Sequence, residues 1–89
     1  MPYRVLAFES TPNPNALKCP VEPRPAEAPR SYRTAAEVAE NDSLAKSLFA
    51  VPGVTSLLIH TGFITVTKSP DARWPAIRAG VERVLHAAD

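Results

Sequence analysis

The chain is short of glycine and cysteine and has no dominant charge. Its 89 residues include one cysteine, Cys19, so neither an internal disulfide nor a four-thiolate metal site is possible within one copy. The three glycines, Gly53, Gly62 and Gly80, are isolated from one another, which excludes a glycine-rich phosphate loop. Ten Lys and Arg balance nine Asp and Glu to a net charge of +1, so no global field holds a nucleic acid or an anionic membrane. No run of about 18 apolar residues exists, and no membrane span is expected. Met1 to Glu9 lacks the basic-then-apolar pattern of a secretory leader, and a cytoplasmic location is the expectation. Proline is the residue in excess: eight of the ten prolines lie at or before position 52, so the irregular backbone belongs to the first half. The length predicts one domain, residues 1–89, with one small core.

Tyr3 to Glu9 alternates and predicts a strand, with Tyr3, Val5 and Ala7 on one face and Arg4, Leu6 and Phe8 on the other. Leu17 to Val21 predicts a second strand with Leu17, Cys19 and Val21 on one face. Pro20 lacks a donor and marks that strand as an edge. Glu22 to Arg30, with Pro23, Pro25 and Pro29, predicts an extended surface loop. Thr34 with Glu37 has capping-box spacing ahead of a short helix. Asn41-Asp42 interrupts it, and Ser43 opens a second set of helical turns carrying Leu44, Leu48 and Phe49, which Pro52-Gly53 stops.

Val54 to Ile59 and Phe63 to Lys68 are rich in β-branched residues and flank His60-Thr61-Gly62, a hairpin connection where glycine offers positive φ. Asp71 to Ala88 predicts a helix whose apolar stripe is Trp74, Ile77, Val81, Val84, Leu85 and Ala88, with Pro75 in its first turn. The order β-β-α-β-β-α predicts an α+β two-layer sandwich: a small antiparallel sheet with both helices on one face.

Thr11-Pro12-Asn13-Pro14-Asn15 stands out. Each proline holds the residue before it extended and fixes its own φ. The asparagines can close turns on their own backbone. The product is a stiff loop carrying a hydroxyl and two carboxamides, and stiffness lowers the entropy lost on docking. A rigid connection whose asparagines satisfy only their own backbone is the plainer reading.

The stretch from Thr11 to Lys18 resembles the TPNPN-x-LK signature of the N-terminal domain of Nfu proteins, NifU-like factors of iron–sulfur cluster assembly. Ser43-Leu44-Ala45 with Leu48-Phe49, then Pro52-Gly53-Val54, then Phe63 to Lys68, then Trp74 extend the resemblance in order, from Tyr3 to about Leu85. It implies a small α+β domain that binds iron–sulfur assembly or target proteins. Two departures are evident. Cys19 stands where the family usually has an aromatic. The C-x-x-C pair that holds the cluster in two-domain Nfu proteins is missing, so the resemblance implies a stand-alone accessory module with no cofactor of its own.

The remaining chemistry-bearing residues are few. Iron–sulfur clusters normally take four protein ligands, mostly thiolates. This chain offers Cys19, His60 and His86. Cys19 falls in phase with Leu17 and Val21, where a free cysteine acts as a small hydrophobe. The alternative is a redox or metal-transfer protein working through Cys19 as a dimer. Glu37, Glu40, Glu82 and Asp89 read as solvated charges. His86 suits the C-terminal end of a helix dipole. Phe63, Thr65 and Thr67 share the sheet face away from the helices, which Lys18 flanks. Trp74 and Phe49 read as core. Arg24, Arg30 and Arg33 form a loose basic cluster diluted by Glu22 and Glu27, without the aromatic platform of a nucleic-acid site. The expected docking surface is therefore Thr11, Pro12, Asn13, Pro14 and Asn15 with Lys18, Thr65 and Lys68. The expected function is non-enzymatic.

Overall fold

The structure, a computed structural model, describes residues 3–22 and 28–87. The best-defined sequence signal gives the centre of the sheet. β5 (Val54–Ile59) and β6 (Phe63–Lys68) pair antiparallel, with Ile59 opposite Ile64 and Leu57 opposite Val66. The His60 N–H donates to Phe63 O at 2.8 Å, which leaves Thr61-Gly62 as a two-residue connection. The turn does not use positive φ at Gly62; Gly53, at φ 95°, is the glycine in that region. A Cβ on Gly53 would lie 2.7 Å from the Ala72 Cβ, so glycine is required there on both counts.

β3 (Ala16–Glu22) pairs with β6, setting Leu17 against Val66 and Cys19 against Ile64. Contrary to the expectation from Pro20, β3 is an inner strand. Its other flank carries β1 (Arg4–Val5) and β2 (Glu9–Ser10), so the sheet runs β1/β2-β3-β6-β5.

The expected single strand from Tyr3 to Glu9 is broken, and Pro20 supplies the reason. The Leu6 N–H donates to Pro20 O at 2.8 Å. The reciprocal bond of such a pair needs an N–H that proline lacks. There the register slips by one, from Val5 opposite Val21 to Glu9 opposite Lys18, as in a β-bulge. The slip reverses the alternation. Tyr3, Val5 and then Phe8 pack against the core, whereas Leu6 is left 53% exposed.

The far edge is β4 (Arg30–Tyr32), antiparallel to β5, at the end of the stretch expected to be only loop. Pro23, Arg24, Pro25 and Glu27 lie outside the described residues. Thr34 does not form the expected capping box: its side chain makes no cap hydrogen bond, and Ala35–Glu37 is a single 3-10 turn. Asp42, expected only to interrupt, instead caps α1 (Ser43–Phe49) by accepting from the Ala45 N–H.

α2 (Trp74–Ala87) buries Ile77, Gly80, Val81 and Leu85; Ala88 lies outside the described residues. Gly80 lets α2 approach Val51, because a Cβ there would stand 2.8 Å from Val51 Cγ1. The two helices cover one face of the sheet over a core of Cys19, Val21, Leu48, Leu57, Ile59, Ile64, Val66, Ile77, Val81 and Leu85. Each large aliphatic side chain in it contributes about 1.5–3 kcal/mol by leaving water. The two-layer α+β architecture expected from the element order is the one observed, with β4 added at the edge.

Candidate functional site

The Thr11–Asn15 loop connects β2 to β3 and is fastened twice over. Internally, Asn13 N–H donates to Thr11 Oγ1 at 3.2 Å and Asn15 N–H to Asn13 Oδ1 at 2.9 Å. The Thr11 hydroxyl lies within donating distance of Asn13 O (2.8 Å) and Ala16 O (3.0 Å), and Ala16 N–H closes a turn onto Asn13 O at 3.0 Å. These are the local side-chain-to-backbone bonds that the Thr-x-Asn-x-Asn spacing favours. Both prolines and Asn13 remain exposed.

The second fastening comes from the other end of the chain. Lys68 N–H donates to Asn15 O at 2.7 Å, and Lys68 Nζ reaches Asn15 Oδ1 at 3.2 Å. The Trp74 indole N–H donates to Pro14 O at 3.2 Å, and Lys68 Nζ lies 5.6 Å from the centroid of the same indole. Trp74 is half-buried against the core with its polar edge on the loop, where the sequence suggested a purely core role. The stiffness of the loop thus has three sources: its prolines, its own side chains and the Lys68–Trp74 clamp.

The expected site residues divide between two faces. Lys18 and Thr65 are cross-strand partners on the face away from the helices, in a row running Glu9, Lys18, Thr65, Leu58, Ser31 across the sheet. Lys18 Nζ sits 4.5 Å from the Phe63 ring centroid, and His60 stacks on Phe63 at 4.6 Å with 6° between planes. Lys68 is on the opposite face, in phase with Ile64 and Val66, and only 9% exposed. It belongs with the loop and not with Lys18. The alternation of β6 already placed it there, but a lysine reads as solvated until its partners from Asn15 are seen.

Cys19 is 1% exposed in the core. Burial above all, with the Glu82 carboxylate adding to it, pushes its thiol up to about 12. A thiol held protonated across the neutral range is neither a nucleophile nor a ready ligand. Glu82 and His86, four residues apart on α2, line a surface cleft with Tyr3, Arg4 and Val5. Among the described residues no group of three or more His, Cys, Asp and Glu side chains could hold a metal ion. This donor set does not fit an iron–sulfur cluster, which takes four ligands and mostly thiolates.

Of the loose basic cluster, Arg24 lies outside the described residues and Arg30 is engaged by a carboxylate. Arg30 donates to Asp42 from Nε (2.7 Å) and Nη2 (3.0 Å), and Tyr32 donates its hydroxyl to the same carboxylate at 2.6 Å. Burial raises the pKa of Asp42, but the bonds from Arg30, Tyr32 and the Ala45 N–H outweigh it and hold the carboxyl below its usual range. Sequence reasoning missed this latch, which ties edge strand β4 to the start of α1. No helix among the described residues is long and apolar enough to cross a membrane.

The family described as scaffold protein Nfu/NifU N terminal matches residues 6–88. NifU-like protein 5, mitochondrial, from Arabidopsis thaliana is 34% identical over 82 residues, covering 86% of this chain. This chain spans only 28% of that relative's length. The crystal structure of protein SAV1430 from Staphylococcus aureus superposes with a TM-score of 0.76 at 26% identity, covering 91% of this chain and 96% of that one. The solution structure of a NifU-like protein from Saccharomyces cerevisiae gives 0.72 at 28% identity, covering 93% and 77%.

Proposed function

Since the chain belongs to the Nfu/NifU N-terminal family of iron–sulfur cluster assembly, we propose that it is a non-enzymatic protein-binding module that docks assembly or target proteins through the Thr11–Asn15 loop. The observation that carries this reading is the double fastening of an exposed loop. Pro12, Asn13 and Pro14 are presented to solvent on a backbone already fixed by Thr11, Lys68 and Trp74. Little conformational entropy remains to be lost when a partner binds. Lys18 and Thr65, on the open sheet face, extend the docking surface beside the loop. The cluster itself is cargo held by other proteins. The buried, protonated Cys19 supports this and speaks against a thiol-dependent transfer mechanism.

The test is affinity capture from the native cell with Asn13→Ala/Asn15→Ala beside the wild type, with captured proteins identified by mass spectrometry. The wild type is expected to retain iron–sulfur assembly or target proteins that the double variant loses while keeping its circular dichroism spectrum. Equal capture by both would remove the loop from the mechanism. The proposed compartment is the cytoplasm. Recovery of the tagged chain in an organelle fraction would move it there, as the name of the Arabidopsis relative has it for that protein.

A further inference from the structure

Lys68 presents a charge that the loop only half satisfies. Its residue is 9% exposed, yet among the described residues its Nζ has no carboxylate within 4 Å. Its oxygen partners are both neutral, Asn15 Oδ1 at 3.2 Å and Ser69 O at 3.3 Å. An ammonium has three donors, and desolvating a cation with no counter-charge in contact is costly. Asp71, exposed on the neighbouring turn, lies beyond 4 Å and bears on Lys68 only as a through-space charge, while its carboxylate accepts from the Ser69 hydroxyl. The residues around Lys68 reach solvent: Asn15, Ser69 and Trp74 are each half-buried and Pro14 is exposed.

We propose that this rim receives a carboxylate side chain, Asp or Glu, of the docking protein, with the Lys68 ammonium as its counter-charge. The incoming carboxylate takes the donor left unmatched by Asn15 and Ser69. Its aliphatic stem lies against the Trp74 ring, and the residues flanking it meet Pro14 and Asn13. The loop then acts as one wall of an acid-reading site, and its attachment to Lys68 couples the wall to the charge. The inference rests on the docking reading above and specifies the chemistry that reading leaves open. It also gives Asp71 a role, since a fixed negative charge at the rim weakens binding of any acid that lacks the remaining contacts.

The experiment is a nitrogen-15 NMR titration of the full chain with acetyl-Leu-Glu-Leu-amide and with its Gln analogue. The Glu peptide is expected to shift the Trp74 indole N–H and the Asn15 and Lys68 amides. The Gln peptide is expected to bind roughly tenfold more weakly or worse, the usual difference between a charged and a neutral hydrogen bond. Lys68→Met should abolish the response, Lys68→Arg should retain it, and Asp71→Asn should strengthen it about two- to fivefold. Equal binding of the two peptides, no shifts at these three residues, or an unchanged Lys68→Met response would overturn the proposal. If Lys68→Met does not fold, the Glu-against-Gln comparison on the wild type still decides. The two readings fail separately in the capture assay. Partners lost by the Asn13/Asn15 variant but kept by folded Lys68→Met would sink the acid site alone, whereas partners kept by the loop variant would sink the docking reading first.

Discussion

Replacing Asp42 by alanine should unsettle one corner of the fold, by an amount the geometry sets. The carboxylate accepts from Arg30 twice, from the Tyr32 hydroxyl and from the Ala45 N–H, and its side chain is 8% exposed. Loss of the cap costs about 1 kcal/mol. Loss of the charge-assisted bonds costs about 1.5–3 kcal/mol when the partners stay unpaired. The Arg30 side chain is 36% exposed and can rehydrate, so the lower part of that range applies. The total is about 2–3 kcal/mol, a fall of roughly 10–20 °C in melting temperature for a domain of this size. Asp42→Asn keeps the cap and loses the charge, so it should fall between wild type and alanine. Thermal melts followed by circular dichroism measure both. The pH dependence has a fixed sign. A carboxyl held below its usual range in the fold contributes stability that is fully present above its unfolded value, near 4, and lost as pH falls through the folded value. The wild type should therefore lose stability in acid more steeply than Asp42→Ala. A melting temperature within about 3 °C of wild type for Asp42→Ala, or parallel acid profiles, would refute this account of the latch.

Other perturbations follow the same geometry. Gly80→Ala should destabilise by about 1–3 kcal/mol in a urea melt, because its Cβ would meet Val51 at 2.8 Å in a packed helix contact. Gly53→Ala should cost at least about 1 kcal/mol by the same measurement, from its φ of 95° and the approach of Ala72. Cys19 should resist a thiol reagent at pH 8 in the native protein and react at once in denaturant, since burial pushes its thiol up to about 12. Trp74→Phe should keep the fold within about 1 kcal/mol yet speed amide exchange at Asn15 and Ala16, because it keeps an aromatic ring and removes the bond to Pro14 O.

What the sequence made legible was local. The alternation of Ile64 and Val66 against Phe63, Thr65 and Thr67 placed β6 and both sheet faces correctly, because period two in a β-branched run has few other solutions. The stiffness of Thr11–Asn15 was legible for the same reason: proline acts on its immediate neighbours. Features that depend on a partner across the fold were not legible. The bulge after Leu6 arises from a donor missing at Pro20, on the next strand. β4 is three residues beside a proline-rich stretch and exists only because β5 offers it an edge. Asp42 sits among Asn41 and Ser43, each an acceptable cap, and only Arg30 and Tyr32 single it out. The clamp on the loop joins residues 53 and 60 positions apart, for which no local pattern exists.

Hydrogen exchange on the captured complex reads directly whether partners engage the Thr11–Asn15 loop. Binding should add protection across Asn13 to Lys18 and at the Trp74 indole, with the α2 face around Glu82 and His86 unchanged. Protection confined to α2 or to the β4 edge, with the loop amides exchanging as in the free protein, would contradict docking through the loop.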